Sequence, residues 1–246
     1  MELKNNERID DLQYKGLKII QNEKDFCFGI DAVLLSDFAK GIKKDSYVVD
    51  LCTGNGIIAI LLSGKTEAKE IIGVEIQEHV AEMANRSVEM NNIQERVKII
   101  NENLTKLKDK IKAGSVDAIT VNPPYKAKNS GLINERDTKT IARHEISCTL
   151  EDIIIEAARE LKSSGNLYMI HKTERLVDIL SLMRKYKIEP KRIRFIHPNV
   201  NEAPNLVLVE GTRSGKSFLK VEKPLYVYKE NGEYTEDIKK IYGLEK

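Results

Sequence analysis

Short apolar runs alternate along this chain with segments whose apolar positions recur every three or four residues. Tyr47 to Cys52, Ile71 to Glu75, Val97 to Ile100 and Val116 to Val121 read as buried strands, because apolar and β-branched residues dominate them. Between them Ile57 to Leu62 and Gln77 to Asn92 read as helices, the second with Val80, Ala84 and Val88 on one face. The alternation continues with a helix over Glu151 to Leu161, a strand over Leu167 to Ile170 and a helix over Glu174 to Tyr186. Thr149 and Asp152 resemble a capping pair for the first of these helices, and Gly165 lies beyond its end. Ile193 to Ile196 and Leu206 to Glu210 add strands around the loop Pro198 to Pro204. Leu225 to Tyr228 and a short helix from Glu236 close the chain.

Upstream, Leu12 to Ile20 alternates as a hairpin about Lys15-Gly16, and Ala32 to Phe38 forms a helix with Asp31 as N-cap and Gly41 as its stop. Strand–helix alternation of this kind predicts an α/β fold: a doubly wound, mainly parallel, seven-stranded sheet with helices on both faces. No repeat or composition break marks a linker, so residues 1–246 are expected to form one domain, with 1–40 a hairpin and helix packed on it. Residues 126–146 are polar and aperiodic, and a connection of that length predicts a lid over a site.

Composition changes the picture only in places. Lys and Arg number 40 against 38 Asp and Glu, a near balance that leaves a nucleic-acid partner open because distribution matters more than sum. From Lys172 to Lys223 the count is twelve basic against six acidic residues, an excess suited to phosphates. Three distant cysteines (Cys27, Cys52 and Cys148) lack metal-ligand spacing, so neither disulfides nor a metal is expected. No apolar run is long enough to span a bilayer and the N-terminus lacks a signal-peptide core, so no membrane partner is expected and a cytoplasmic monomer is.

Two stretches carry chemistry. The strand at Val116 to Val121 stops at Asn122-Pro123-Pro124-Tyr125, since proline cannot donate to a sheet ladder. Each proline also holds its predecessor extended. The result is a stiff corner bearing a carboxamide, a proline carbonyl and a phenol ring. The other stretch is Asp50-Leu51-Cys52-Thr53-Gly54-Asn55-Gly56, between a strand and a helix, whose glycines permit close approach of backbone to a ligand. Glu75 follows where a ribose-binding acid belongs. Asp50 suits a cationic ammonium better than a pyrophosphate, which favours S-adenosylmethionine over NAD. Asn103 is placed to bond an adenine amine, and Ile76 and Asp31 complete the cofactor set. Both stretches fall at the carboxyl ends of strands, where ligands sit in such sheets.

Together Asp50, Gly54, Gly56, Glu75 and Asn122-Pro123-Pro124-Tyr125 resemble the class I amino-methyltransferases, which act on nitrogens conjugated to a planar system. A finer resemblance covers nearly the whole chain. Phe28-Gly29-Ile30-Asp31-Ala32-Val33-Leu34-Leu35, Ala142-Arg143-His144-Glu145, His171-Lys172-Thr173-Glu174-Arg175-Leu176, and His197-Pro198 with Ala203-Pro204-Asn205 are similar to the bacterial tRNA(Val) adenine-37 N6-methyltransferases. This implies a tRNA substrate methylated beside the anticodon. Other proteins with the same corner modify guanine N2 or a protein glutamine. Asn122 and Pro123 would supply acceptors for the amine, Pro124 stiffness and Tyr125 a stacking face. Lys126, Arg136, Arg143, His144, Lys172 and Arg175 are the candidate RNA contacts.

Overall fold

Apolar β-branched runs become the centre of one twisted sheet in the computed structural model, which describes residues 2–25, 27–125 and 148–244. The strands β3 (Tyr47–Leu51), β4 (Glu70–Glu75), β5 (Val97–Asn101), β6 (Val116–Val121) and β7 (Leu161–Lys172) pair in parallel. Next to β7, β9 (Leu206–Arg213) runs antiparallel, and so does its pairing with β8 (Ile188–His197). Two short strands, β10 (Lys220–Val221) and β11 (Leu225–Tyr226), add to β8. The order is β10-β8-β9-β7-β6-β3-β4-β5 with β11 beside β8, so among the described residues the sheet has nine strands where seven were expected.

Alternation along each strand divides the core in two, as a period of two requires. Val48, Ala118 and Ile170 face α1 (Ile30–Phe38), α2 (Ile57–Lys65), α3 (Glu78–Met90) and α6 (Glu236–Ile241). Val49, Ile119 and Met169 face α4 (Leu150–Glu160) and α5 (Leu176–Lys185). α1 is apolar nearly all round because β7, α2 and α6 all pack against it. At the start of α4 the expected capping pair forms: Asp152 N–H donates to Thr149 Oγ1 at 3.2 Å, and Thr149 N–H donates to the Asp152 carboxylate at 2.8 Å.

Four local expectations are corrected. The N-terminal hairpin pairs β1 (Glu7–Asp11) with β2 (Lys18–Asn22), so 12–17 is its connection. The turn does fall about Lys15-Gly16, both at positive φ, and Leu12 N–H donates to the Leu17 carbonyl at 2.9 Å across it; Leu12 and Leu17 are buried and Tyr14 lies against Gly64 of α2. Gly29, not Asp31, is the N-cap of α1, and Ala39 ends that helix before Gly41 is reached. Gly165 is no helix stop: β7 starts directly after α4, and a Cβ at 165 would meet the Val116 and Asp117 carbonyls at 3.0 and 3.1 Å. The last expected strand shortens to β11, Tyr228 making only an isolated bridge to Tyr234.

Candidate active site at the carboxyl edge of the sheet

The loop after β3 uses backbone that few residues adopt. Cys52 (φ 56°), Gly54 (φ 56°) and Gly56 (φ 86°) all lie in the left-handed region. Thr53 N–H donates to the Val74 carbonyl at 3.0 Å, tying the loop to β4. A Cβ at Gly56 would come within 3.3 Å of Ala84, so that glycine lets the loop pack closely on α3. A Cβ at Gly54 would meet nothing within 4 Å. Backbone there faces open space.

Beneath this loop Asp50 is fully buried, instead of standing on its open side. Thr53 Oγ1 donates to one carboxylate oxygen at 2.5 Å and Thr120 Oγ1 to the other at 2.6 Å. Burial pushes the Asp50 pKa up to about 7 against the pull of both hydroxyls, and the charge of Glu75 adds to the rise. Glu75 ends β4, accepting the Gly54 N–H at 3.0 Å on one oxygen and the Gln77 N–H at 2.9 Å on the other. Asn101 Nδ2 donates to the Glu75 and Ile76 carbonyls at 2.9 Å each, which holds Ile76 at the mouth.

A small cleft of ≈ 40 Å³ follows, lined by Cys52, Glu75, Ile76, Glu102, Asn103, Pro124 and Cys148 among others. Asn103 is present but committed: its Oδ1 accepts from Thr105 N at 3.0 Å and Thr105 Oγ1 at 2.9 Å, capping a 3₁₀ turn. That leaves little room for it to accept from a ligand amine. Glu102, one residue earlier, brings acceptor oxygens to the same cleft. An acid directly after β5 was the sequence signal for it. The Cys52 thiol is kept protonated by its hydrogen bond with Cys148 and by burial, in keeping with an apolar packing role.

Pro124 lines this cleft, so the corner after β6 adjoins it. Asn122 and Tyr125 are brought together as expected, with Asp31 added. Tyr125 OH lies 2.6 Å from Asp31 Oδ2 and 2.7 Å from Asn122 Oδ1, while Asn122 Nδ2 donates to Asp31 Oδ2 at 3.0 Å. Asp31 therefore sits with the corner and not among the residues lining the cleft. Burial, and then the Asp31 carboxylate, push the Tyr125 pKa far up, so the phenol keeps its proton. His171 meets the Tyr125 ring edge-on at 5.3 Å. Burial lowers the His171 pKa to about 4, and its Nδ1 accepts the Lys172 N–H at 2.8 Å, leaving it neutral near pH 7.

Of the candidate RNA contacts, Lys126, Arg136, Arg143 and His144 lie outside the described residues, as does the expected lid. Lys172 Nζ sits 5.4 Å from the centre of the Tyr125 ring, a cation–π contact at the corner itself. Arg175 is engaged locally with Asp178 at 2.8 Å. One residue that gave no sequence signal joins the two halves of the site. Gln21 of β2, buried, accepts on Oε1 from Phe28 N–H at 2.9 Å and from Asn55 Nδ2 at 3.3 Å. Among the described residues no cluster suits a metal ion, and no helix is long and apolar enough to cross a membrane.

Comparison with known proteins places the chain among others of related sequence and fold. The methyltransferase small domain family matches residues 29–186. A Porphyromonas gingivalis protein named tRNA1(Val) (adenine(37)-N6)-methyltransferase is 28% identical over 206 residues, covering 82% of this chain and 80% of its own length. A Pedobacter heparinus protein of the same name is 25% identical over 227 residues, covering 92% and 94%. Among solved structures, a predicted O-methyltransferase from Agrobacterium tumefaciens has a TM-score of 0.69 at 20% identity, covering 87% of this chain and 95% of that one. The geranyl diphosphate C-methyltransferase of Streptomyces coelicolor, solved with S-adenosyl-L-homocysteine, has a TM-score of 0.57 at 16% identity, covering 74% and 79%. Both structures share the fold.

Proposed function

Because the chain belongs to the methyltransferase small domain family, we propose that it transfers a methyl group from S-adenosylmethionine to the N6 amine of an adenine in tRNA, at position 37 beside the anticodon of tRNA(Val). The observation that carries the donor side is a pair of buried carboxylates, Asp50 and Glu75, held only by hydroxyl and amide donors. Glu75 in the cleft lining and Asp50 buried beneath the loop, neither paired with a basic side chain, favour a cationic ligand, which would draw Asp50 to its ionised form, and oppose an anionic dinucleotide. When bound, S-adenosylmethionine supplies an electrophilic methyl on a cationic sulfur.

This chain's residues fit such a ligand. Gly54 offers unobstructed backbone, and Asp50 gives negative charge beneath the loop. Glu75 serves the ribose hydroxyls, Ile76 covers a face of the base, and Glu102 accepts from its amine, with Asn103 holding the turn beside it.

On the acceptor side, an adenine amine is a weak nucleophile because its lone pair is delocalised into the ring. Asn122 Oδ1 and the Pro123 carbonyl accept its two hydrogens and favour a more pyramidal nitrogen. Proline stiffening keeps these acceptors oriented with little reorganisation. Tyr125 gives the base a stacking face, worth about 1–3 kcal/mol, with Lys172 moving from that ring toward the RNA phosphates. The base must leave its own stack to enter. No group near the corner is required as a base, since the amine proton leaves to water after transfer.

The basic side chains of the Lys172 to Lys223 segment meet the RNA backbone in the cytoplasm. The tRNA and the adenine come to this chain through the names of its relatives. Labelled S-adenosylmethionine offered with bulk tRNA and with cellular protein tests the proposal. Label in RNA, recovered as N6-methyladenosine, is expected; label in N2-methylguanosine or in protein glutamine overturns it.

A further inference from the structure

We infer that Asp31 is a positioning residue of methyl transfer, acting through Asn122 and Tyr125. The inference rests on the acceptor roles proposed above for the corner. Asp31 is 7% exposed, and both of its oxygens are engaged: Oδ1 accepts the Ala32 N–H at 3.0 Å, and Oδ2 accepts from the corner. The approach is built into the chain. A Cβ at Gly29 would lie 2.9 Å from Asp31 Oδ1, so glycine there lets the carboxylate fold back over the start of α1 without having to shift.

An ionised carboxylate accepts and never donates. Facing Asn122, it selects the Nδ2 end of the carboxamide and turns Oδ1 toward the other side. Without it only the Tyr125 hydroxyl, 2.7 Å from Oδ1, is left to orient the amide, and flips that present two hydrogens to the incoming amine become more frequent. The phenol raises a second issue. Tyr125 has one proton and two acceptors within reach, Asp31 Oδ2 and Asn122 Oδ1. Charge-assisted hydrogen bonds are the stronger kind, so the carboxylate takes that proton. An amide oxygen has two lone pairs, so Asn122 Oδ1 keeps one open for the target amine in either case, and both when the carboxylate holds the phenol proton. Asp31 sets the polarity of one group and claims the proton of another, and both effects leave the same oxygen as a pure acceptor.

The test is a double-mutant cycle read by single-turnover methyl transfer at saturating donor, using whichever acceptor wild type labels. Asp31→Asn and Asp31→Ala are expected to slow transfer about 10- to 100-fold, the loss of one hydrogen bond to a charged group. Donor affinity should stay within about threefold, as Asp31 is away from the cleft lining. In an Asn122→Ala background the Asp31 substitutions should cost no further rate, because their route is already removed. Gly29→Ala should reproduce part of the loss with the carboxylate still present, and thermal melts establish that each variant is folded. Equal rates for Asp31→Ala and wild type overturn the inference, as does full additivity in the cycle. So does a loss confined to donor affinity, which would return Asp31 to the cofactor set. Wild type that labels protein in place of RNA sinks the proposed substrate and leaves the cycle decisive. Wild type that labels neither overturns both.

Discussion

Thr120 Oγ1 donates to Asp50 across the β3–β6 pair at 2.6 Å, so the strand that carries the acceptor corner also supports the acid beneath the donor loop. The bond matters because burial holds the Asp50 pKa up to about 7, and Thr120 and Thr53 supply the countervailing pull. A cationic ligand favours the ionised acid, so binding lowers that pKa and releases a proton below about pH 7. S-adenosylmethionine affinity should therefore rise with pH up to about 7 and level off above it. Calorimetry in buffers of different ionisation heat measures the proton release. Asp50→Asn should abolish the slope, and a slope unchanged in that variant would refute the role.

The two loop glycines should fail differently. At Gly54 the left-handed φ is the only obstacle to a side chain within the protein, so Gly54→Ala should lose about 1–2 kcal/mol of stability. Its methyl then projects into the open space proposed for the donor, and affinity should drop at least tenfold. Gly56→Ala adds a contact with Ala84 to the same strain and should lower stability more. Thermal melts paired with donor titrations decide the matter, and equal effects of both on affinity would count against the assignment.

Far from the site, Glu160 is buried with one carboxylate oxygen unpartnered, and burial pushes its pKa from 4.5 up to about 7. A folded pKa above the unfolded one means that stability is lost as pH rises from about 4.5 to about 7. Glu160→Gln should therefore stabilise the protein at pH 8 by about 1–2 kcal/mol, after allowing for the lost contact to Arg159. At pH 4 the gain should vanish. Denaturant melts across that range test this, and a constant difference between pH 4 and pH 8 would rule it out.

Much of this architecture was legible because it rests on local pattern. The parallel strands were carried by β-branched runs, and the Thr149–Asp152 cap by two residues three apart. The proline corner was equally plain, since two prolines exclude any continuation of β6. What escaped notice depends on contacts between distant segments. Asp31 gave the local signature of a helix cap, and only its meeting with Asn122 and Tyr125 shows its place. Gly165 looked like a helix stop because the crowding of the Val116 and Asp117 carbonyls cannot be read from its neighbours in sequence. Asn103 carried the right chemistry for an adenine amine, but a turn two residues long claims its oxygen first.

Asn122→Ala should lower single-turnover methyl transfer about 100-fold or more, the scale of losing one preorganised partner in a reacting site. Donor affinity should change by less than about twofold, since the amide lies outside the cleft lining. Transfer at the wild-type rate would show that the carboxamide is not an acceptor for the amine.

Gln21 gives the molecule a further property. One amide oxygen receives both Asn55 of the donor loop and the Phe28 N–H, three residues before Asp31. A shift of either partner is felt by the other through a single shared atom. This bridge predicts a linkage between the two sites, and any such linkage is reciprocal: whatever factor bound donor applies to acceptor affinity, bound acceptor applies to donor affinity. Replacing Gln21 with Leu should bring that factor toward one, measurable by titrating each ligand with and without the other; an unchanged factor would mean the coupling runs elsewhere. With the factor at one, donor and acceptor would bind in either order without consequence.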